Sequence, residues 1–193
     1  MKDHILARIH RALEHRPKSE LPAPMPVEKI TAEETLGRFR DRLSGNGGEL
    51  VRLENVNAAR VWLDSFTKAF SSAACGHLVP AALRPGLPEL PAHQAQLGVS
   101  WALGAAAETG SVLMSSRDGR LTQLLPPTHL VFVSEARLYP SLSEALAALK
   151  TDLPSAIGLH SGPSKSADIG QIMVKGVHGP GRLVVALIGD MGP

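Results

Sequence analysis

Apolar residues recur at helical spacing near the start of the chain. Between residues 5 and 13 they fall on one stripe, which predicts a short amphipathic helix. Four prolines between residues 17 and 26 then prevent the helix from continuing. We interpret residues 1–28 as a helical arm with a proline-rich linker. Because so short a helix cannot bury its stripe by itself, we expect the arm to dock on its own domain or on another subunit.

From residue 29 onward, helical and extended patterns alternate. Capping boxes formed by Thr31 with Glu34 and by Ser141 with Glu144 predict the starts of two helices. Asn57 is interpreted as the N-cap of a third helix. Short apolar runs predict strands over residues 49–53, 77–80, 98–103, 111–115, 129–133, 156–159 and 183–188.

Strands separated by helices predict an α/β fold with a parallel or mixed sheet that is covered on both faces. We expect one such domain over residues 29–193. At 193 residues and 44% hydrophobic content, the chain can bury a core of that kind. No apolar run approaches the roughly 20 residues of a membrane-spanning helix, and the first residues lack the apolar segment of a signal peptide. We therefore expect a cytoplasmic protein without a membrane span.

Charge and cysteine content limit the partners and cofactors to expect. The formal net charge is +2, and the basic run within residues 8–18 carries no aromatic residues that would stack on bases. We interpret that run as a solvated helix face and expect no nucleic-acid partner. The single cysteine, Cys75, cannot form an internal disulfide or ligate an Fe–S cluster or a thiolate zinc site by itself. The histidines lack ligand spacing, so we expect no metal or cofactor on this chain.

The first of three unusual loops, residues 107–111, holds Glu108, Thr109 and Gly110 between two predicted strands. Glu108 is the only acid in the apolar stretch 99–114. An isolated carboxylate among apolar residues is a candidate general acid, base or nucleophile. Two other interpretations stay open: the side chain binds a ligand without catalysis, or it braces the turn by accepting backbone hydrogen bonds.

The second loop, residues 162–169, follows a predicted strand and combines a cation with several hydroxyl groups. Its candidate ligand-binding residues are Gly162, Pro163, Ser164, Lys165, Ser166 and Asp168. We expect a short helix to begin at Ser166 or Ala167, with its N-terminal amides pointing at a carboxylate or phosphate. The spacing is not that of a Walker A loop. A simpler interpretation is a β-to-α turn in which Ser166 is only the N-cap.

The third loop, residues 176–180, places His178 and Gly179 in a sharp turn before the last strand. The imidazole is a candidate acid or base, or else a hydrogen-bonded structural residue. Loops that follow parallel strands meet at the carboxyl edge of the sheet, so we expect Glu108 and the other two loops to converge there within about 10 Å. Glu108 and His178 would then face the reactive end of an anionic ligand.

The three loops, 107–111, 162–169 and 176–180, resemble the LUD domain family, in particular its lactate-utilisation protein C branch. The resemblance runs from about Leu97 to the end of the chain and more loosely over the first helix. It implies a three-layer α/β/α fold similar to the superfamily of ribose-5-phosphate isomerase and the CoA transferases. CoA transferases in that superfamily use a glutamate nucleophile in a strand-end turn, which directs attention to Glu108.

The resemblance also implies a function. The family's best-known setting is a three-protein system that oxidises L-lactate to pyruvate, in which the companion proteins carry cysteine-rich Fe–S motifs. The present chain resembles the member without clusters and is expected to bind a small carboxylate or to position a partner. Two alternatives stay open. One is a stand-alone transferase or isomerase that uses Glu108 on an acyl or sugar-phosphate substrate, and the other is a non-catalytic ligand-sensing module.

Overall fold

The computed structural model describes residues 2–14, 29–167 and 173–191. Within these residues the helices are α1 (Lys2–Glu14), α2 (Ala32–Gly45), α3 (Val56–Phe66), α4 (Arg120–Leu124) and α5 (Leu142–Leu149). The strands are β1 (Glu49–Asn55), β2 (Ala73–Cys75), β3 (Leu97–Ala106), β4 (Ser111–Ser115), β5 (Thr128–Ser134), β6 (Leu138–Tyr139), β7 (Ile157–His160), β8 (Lys165–Ala167), β9 (Met173–Lys175) and β10 (Arg182–Asp190).

Both predicted capping boxes form. At the start of α2 the Thr31 hydroxyl accepts the Glu34 N–H at 3.2 Å, and the Glu34 carboxylate accepts the Thr31 N–H at 2.7 Å. Ser141 and Glu144 make the same reciprocal pair at the start of α5, at 3.2 and 3.1 Å. Each box satisfies backbone donors that the first helical turn leaves free, so these helix starts are fixed by residues close in sequence.

The start of α3 differs from the expectation. Its N-cap is Asn55 and not Asn57, because the Asn55 side-chain oxygen accepts the Ala58 N–H at 2.9 Å. Helix α3 therefore begins directly at the end of β1 without an intervening loop. Two asparagines near a helix start give the same sequence signal, and the end of β1 decides between them.

The extended segment expected at residues 77–80 is a turn, and the strand β2 lies before it. The turn is held by Asp118, whose carboxylate accepts the Leu78 N–H at 2.8 Å and the Trp101 N–H at 3.3 Å. Burial raises the pKa of Asp118, and the hydrogen bond from Leu78 opposes that shift. The carboxylate packs so closely on Gly76 that a Cβ there would collide with it.

In the described part of the chain, eight strands form one mixed sheet. The main order is β1-β10-β5-β3-β4-β7, and β2 and β6 also pair with β3. The pairs are parallel except β3 with β4 and β4 with β7, which are antiparallel. Strands β8 and β9 form a separate antiparallel ribbon. The predicted mixed, mostly parallel sheet is therefore confirmed.

Helices cover both faces of this sheet. On one face, α2 packs Phe39 and Leu43 against apolar side chains of β5 and β10. On the other face, α3 packs Ala59 and Leu63 against the alternate side chains of the same strands, and α5 adds a smaller cluster against β3 and β4. A strand buried on both faces carries a nearly continuous apolar run, as β5 does. The three-layer α/β/α arrangement is confirmed.

The turn between β3 and β4 lies against the end of α2. The pairing of β3 with β4 shifts register between Ala102 and Gly104. In the turn itself, Gly110 has a φ of +63°, and a Cβ at this position would collide with the backbone of Leu43 in α2. A glycine tolerates both the positive φ and the close approach. The turn therefore brings the start of β4 next to the C-terminal end of α2.

The arm contains the predicted helix, α1. Its apolar stripe is between 42% and 54% exposed, at Ile5, Leu6, Ile9 and Leu13. The predicted proline linker lies outside the described residues. Docking of this stripe therefore stays a prediction, as does the division of the chain at residue 28.

Candidate functional site

A cleft of about 420 Å³ lies between the end of β7, the loop that follows it and the turn before β10. We call it the β7–β10 cleft. Its lining residues are Asn46, Leu124, Leu159, His160, Ser161, Gly162, Pro163, Ser164, Lys165, His178, Gly179 and Pro180. The volume falls in the range of small-molecule sites, and the lining combines cationic, hydroxyl and imidazole groups.

Backbone hydrogen bonds join the two loops that form this cleft. The Ser164 N–H donates to the Pro180 carbonyl at 2.8 Å, and the Gly176 N–H donates to the Ser164 carbonyl at 2.9 Å. Gly179 packs directly on Ser164, so that a Cβ on this glycine would lie 3.1 Å from the Ser164 Cβ. The second and third sequence loops are thus brought together, with Gly162 to Lys165 on one side and His178 with Gly179 on the other.

Lys165 is the cation of the cleft. Its ammonium donates to the carbonyl of Asn46 at 2.6 Å. Asn46 is the C-cap of α2, and a cation is favoured there because helix dipoles and free carbonyls make a C-terminal end negative. No carboxylate of the described residues lies within ion-pair distance of this ammonium. Two of its three N–H groups therefore have no partner in the described residues.

Two histidines extend the cleft inward. His160, at the end of β7, lines the cleft, and burial lowers its pKa. His129, in β5, is completely buried, and its ring contacts His160 edge to face with centroids 5.6 Å apart. Burial, and secondarily the neighbouring His160, lowers the pKa of His129 to about 3. Both imidazoles are therefore uncharged at neutral pH.

Glu108 lies elsewhere. It is absent from the cleft lining, its side chain is exposed, and its backbone N–H donates to the Pro140 carbonyl at 3.1 Å. The apolar surroundings that its sequence position suggested are not there, because the turn between β3 and β4 projects the side chain outward. The second and third loops share this cleft, whereas Glu108 is not part of its lining, and the expected convergence of Glu108 with them within about 10 Å stays a prediction.

The neighbours of Glu108 reach the cleft only indirectly. The Thr109 carbonyl accepts a hydrogen bond from the side chain of Asn46 at 3.3 Å, and Asn46 lines the cleft. The Thr109 hydroxyl pairs with the Ser111 hydroxyl at 2.6 Å. Gly110 packs on α2 instead of facing a ligand. In this structure both residues fix the turn on the end of α2.

The loop after Lys165 also differs from the expectation. Ser166 lies in strand β8, which pairs with β9, so no helix begins at Ser166 or Ala167. The anion site expected from helix N-terminal amides is therefore wrong, and Lys165 supplies the positive charge instead. Ser166 is not among the lining residues. Asp168 lies outside the described residues.

The cleft is not at the carboxyl edge of the main sheet. Only β7 reaches it with its carboxyl end, at His160, whereas Leu124 and Pro180 precede β5 and β10. The Gly181 N–H donates to the Pro127 carbonyl at 2.9 Å and joins these two amino ends. The carboxyl-edge rule applies to open parallel sheets, and here the reversed strand β4 separates β3 from β7.

Sequence reasoning missed Asn46, Leu124, His129 and His160 as cleft residues or their neighbours. One signal for the histidines was present. His129 begins one predicted apolar strand and His160 directly follows another, and a histidine next to such a run is unusual enough to test as a site residue. No comparable signal marks Asn46, because its place at the cleft depends on contacts with the distant residues Lys165 and Thr109.

Within residues 2–14, 29–167 and 173–191, no helix is both long enough and apolar enough to span a bilayer. Over the same residues, no group of three or more histidine, cysteine, aspartate or glutamate side chains is arranged to hold a metal ion.

The fold and cleft define the chain as a three-layer α/β domain with a polar cleft at its strand ends. Residues 90–188 match the LUD domain, and the chain belongs to the LUD domain family. Among solved structures it is similar to a DUF162 family protein from Deinococcus radiodurans, with a TM-score of 0.65 and 20% identity. That similarity covers 83% of this chain and 100% of the other, and it supports the fold.

Curated relatives match part of the chain. Lactate utilization protein C of Bacillus licheniformis is 38% identical over 107 residues, which are 51% of this chain and 45% of that protein. The Bacillus subtilis protein of the same name is 36% identical over 107 residues, with the same coverage. The present chain therefore spans about half the length of the curated relatives that it matches.

Proposed function

We propose that this LUD domain binds a small carboxylate in the β7–β10 cleft as part of a lactate-utilisation system, with L-lactate and pyruvate as the first candidate ligands. The observation that carries the proposal is the ammonium of Lys165, which has two N–H groups without a partner in the described residues, next to Ser164 and His178. The name of the relatives, lactate utilization protein C, supplies the candidate ligands.

The cleft suits a carboxylate for a physical reason. The Lys165 ammonium donates to the C-cap carbonyl of α2, and charge-assisted hydrogen bonds from an ammonium to a carboxylate are stronger than neutral ones. The Ser164 and Ser161 hydroxyls and the His178 imidazole border the same space and offer further hydrogen bonds. We assign the carboxylate end of the ligand to Lys165 and Ser164, with His178 at the rim.

In this proposal, partner proteins carry out the electron transfer. Cys75 is the single cysteine of the chain, and Fe–S clusters are held by several cysteine thiolates. Companion proteins with Fe–S clusters would therefore accept the electrons from lactate, while this chain binds the acid or positions a partner. Catalysis by Glu108 as a nucleophile has no support from its exposed position outside the cleft.

Ligand binding tests the first part of the proposal. We expect the purified chain to bind L-lactate and pyruvate by titration calorimetry or NMR, and Lys165→Met to weaken both by roughly tenfold to hundredfold, the value of a charged hydrogen bond. Lys150→Met, at the exposed end of α5, is the matched control and should leave the affinities unchanged. Equal binding by Lys165→Met and the wild-type chain would contradict the assignment of the cleft.

Co-purification tests the second part. Tagged chain from cells grown on lactate should retain iron-containing partners, while the chain purified alone should contain no stoichiometric iron and should not oxidise lactate. Lactate oxidation by the isolated chain would contradict the division of roles. Binding of lactate without turnover in any reconstituted complex would favour a ligand-sensing module instead.

A further inference from the structure

His129 is a buried polar side chain without a structural partner. It is fully buried, and neither ring nitrogen makes a hydrogen bond to the described residues. The next side chains on the same face of β5, Val131 and Val133, are apolar and pack against α2. A buried polar group without a partner costs folding free energy, and such exceptions in a folded protein require an explanation. An apolar side chain would suit this position better if packing were its only role.

His129 lies directly behind the cleft. Its ring contacts that of His160 at 5.6 Å between centroids, with 65° between the ring planes. His160 in turn lines the cleft that also contains Lys165. Gly158 leaves room for this ring, since a Cβ at that position would lie 3.1 Å from the His160 Nε2. The His160 ring is thus held between His129 and the backbone of β7.

The cleft lining offers two kinds of polar group. The Lys165 ammonium matches a carboxylate. The His160 imidazole is uncharged at neutral pH, because burial lowers its pKa. A neutral imidazole has one acceptor and one donor nitrogen, so it can hydrogen-bond a hydroxyl or a carbonyl group but offers no charge to a second carboxylate.

Resting on the proposed function, we infer that His160, positioned by His129, binds the polar substituent on carbon 2 of the acid whose carboxylate is held by Lys165. The cleft therefore selects short 2-hydroxy and 2-oxo acids over aliphatic acids of the same size. A site built to hydrogen-bond a ligand group rejects the analogue without it, because its own polar atoms are then left unpaired. His160 is the specificity-determining residue, and His129 is a positioning residue that acts through it.

The test compares L-lactate with propionate, which has the same carboxylate and lacks the hydroxyl. We expect the wild-type chain to bind lactate at least about tenfold more tightly than propionate. His160→Met should bring this ratio below about threefold while propionate affinity stays within about twofold of wild type. His160→Gln, which keeps a donor and an acceptor, should restore part of the preference. His93→Met, an exposed histidine outside the cleft, is the control.

A second variant tests the positioning role. His129→Met should reduce the lactate preference while raising the resistance of the fold to urea, a combination that a merely structural histidine would not give. An unchanged lactate-to-propionate ratio in both His160→Met and His129→Met would overturn the inference. Wild-type binding of the two acids with equal affinity would overturn it while leaving carboxylate binding intact. Failure of the wild-type chain to bind either acid would refute the proposed function and this inference together.

Discussion

Replacing His129 with methionine is expected to make the fold more resistant to acid. His129 is fully buried, and burial lowers its pKa from 6.5 to about 3. As the pH falls through about 6.5, the unfolded chain takes up a proton on this histidine, whereas the folded chain stays neutral there until about pH 3. The free energy of unfolding is therefore unaffected by His129 at pH values above its pKa in the unfolded chain, and it decreases as the pH falls from there towards the pKa of His129 in the folded chain. Methionine does not titrate and removes this loss.

The size of the effect follows from the pKa difference. Each pH unit in that window costs about 1.4 kcal/mol, so the wild-type chain should lose about 2 kcal/mol through His129 between pH 7 and about pH 5. At pH 7 the variant should already be more stable by about 1–3 kcal/mol, since it no longer buries unpaired ring nitrogens. Repacking around methionine offsets about 1 kcal/mol of that gain. His160, whose pKa is also lowered, remains in both proteins.

Urea unfolding followed by circular dichroism at pH 7, 6 and 5 measures this effect directly. The difference in free energy of unfolding between His129→Met and wild type should widen steadily as the pH falls. His93→Met, which changes an exposed histidine, is the matched control. A difference that does not depend on pH would refute the assignment of a neutral, desolvated His129, even if the variant were more stable.

Three further outcomes are expected from the structure. Gly110→Ala should lower the free energy of unfolding in urea by about 2–5 kcal/mol, because the new side chain must adopt a positive φ and collides with α2. The control Gly37→Ala, in the open part of α2, should raise the free energy of unfolding by about 0.5–1 kcal/mol. Glu108→Gln should leave lactate affinity in titration calorimetry within about twofold, because this exposed side chain lies outside the cleft, and a larger loss would restore it to the site. Asp118→Ala should lower the free energy of unfolding by about 1–3 kcal/mol in thermal unfolding, because it leaves the N–H groups of Leu78 and Trp101 without their carboxylate acceptor, and Asp118→Asn, which keeps one acceptor, should lower it less.

The site was only partly predictable from the sequence. Some of its features depend on neighbouring residues, and others depend on contacts between residues far apart in the chain. Lys165, His178 and the glycines beside them were candidates because loops with cations and small residues between strands are typical of binding sites. Ser166 was wrongly expected to start a helix, because a serine after a strand gives the same local signal in an N-cap and in a β-ribbon. Its pairing with β9 depends on residues beyond the loop. Glu108 was a reasonable candidate by its isolation, but isolation in sequence does not measure exposure.

The sequence by itself determined the features whose causes lie within a few residues. The capping boxes at Thr31 and Ser141 fix helix starts through bonds spanning three residues, and the apolar run of β5 identifies a strand buried on both faces. Tertiary structure alone decided which ends of the strands meet. The ring of His160, at the end of β7, lies against that of His129 in β5, and the C-cap carbonyl of α2 accepts a hydrogen bond from Lys165. Contacts of this kind arise from the packing of elements that are distant in sequence, so they cannot be predicted from the periodicity of apolar residues along the chain.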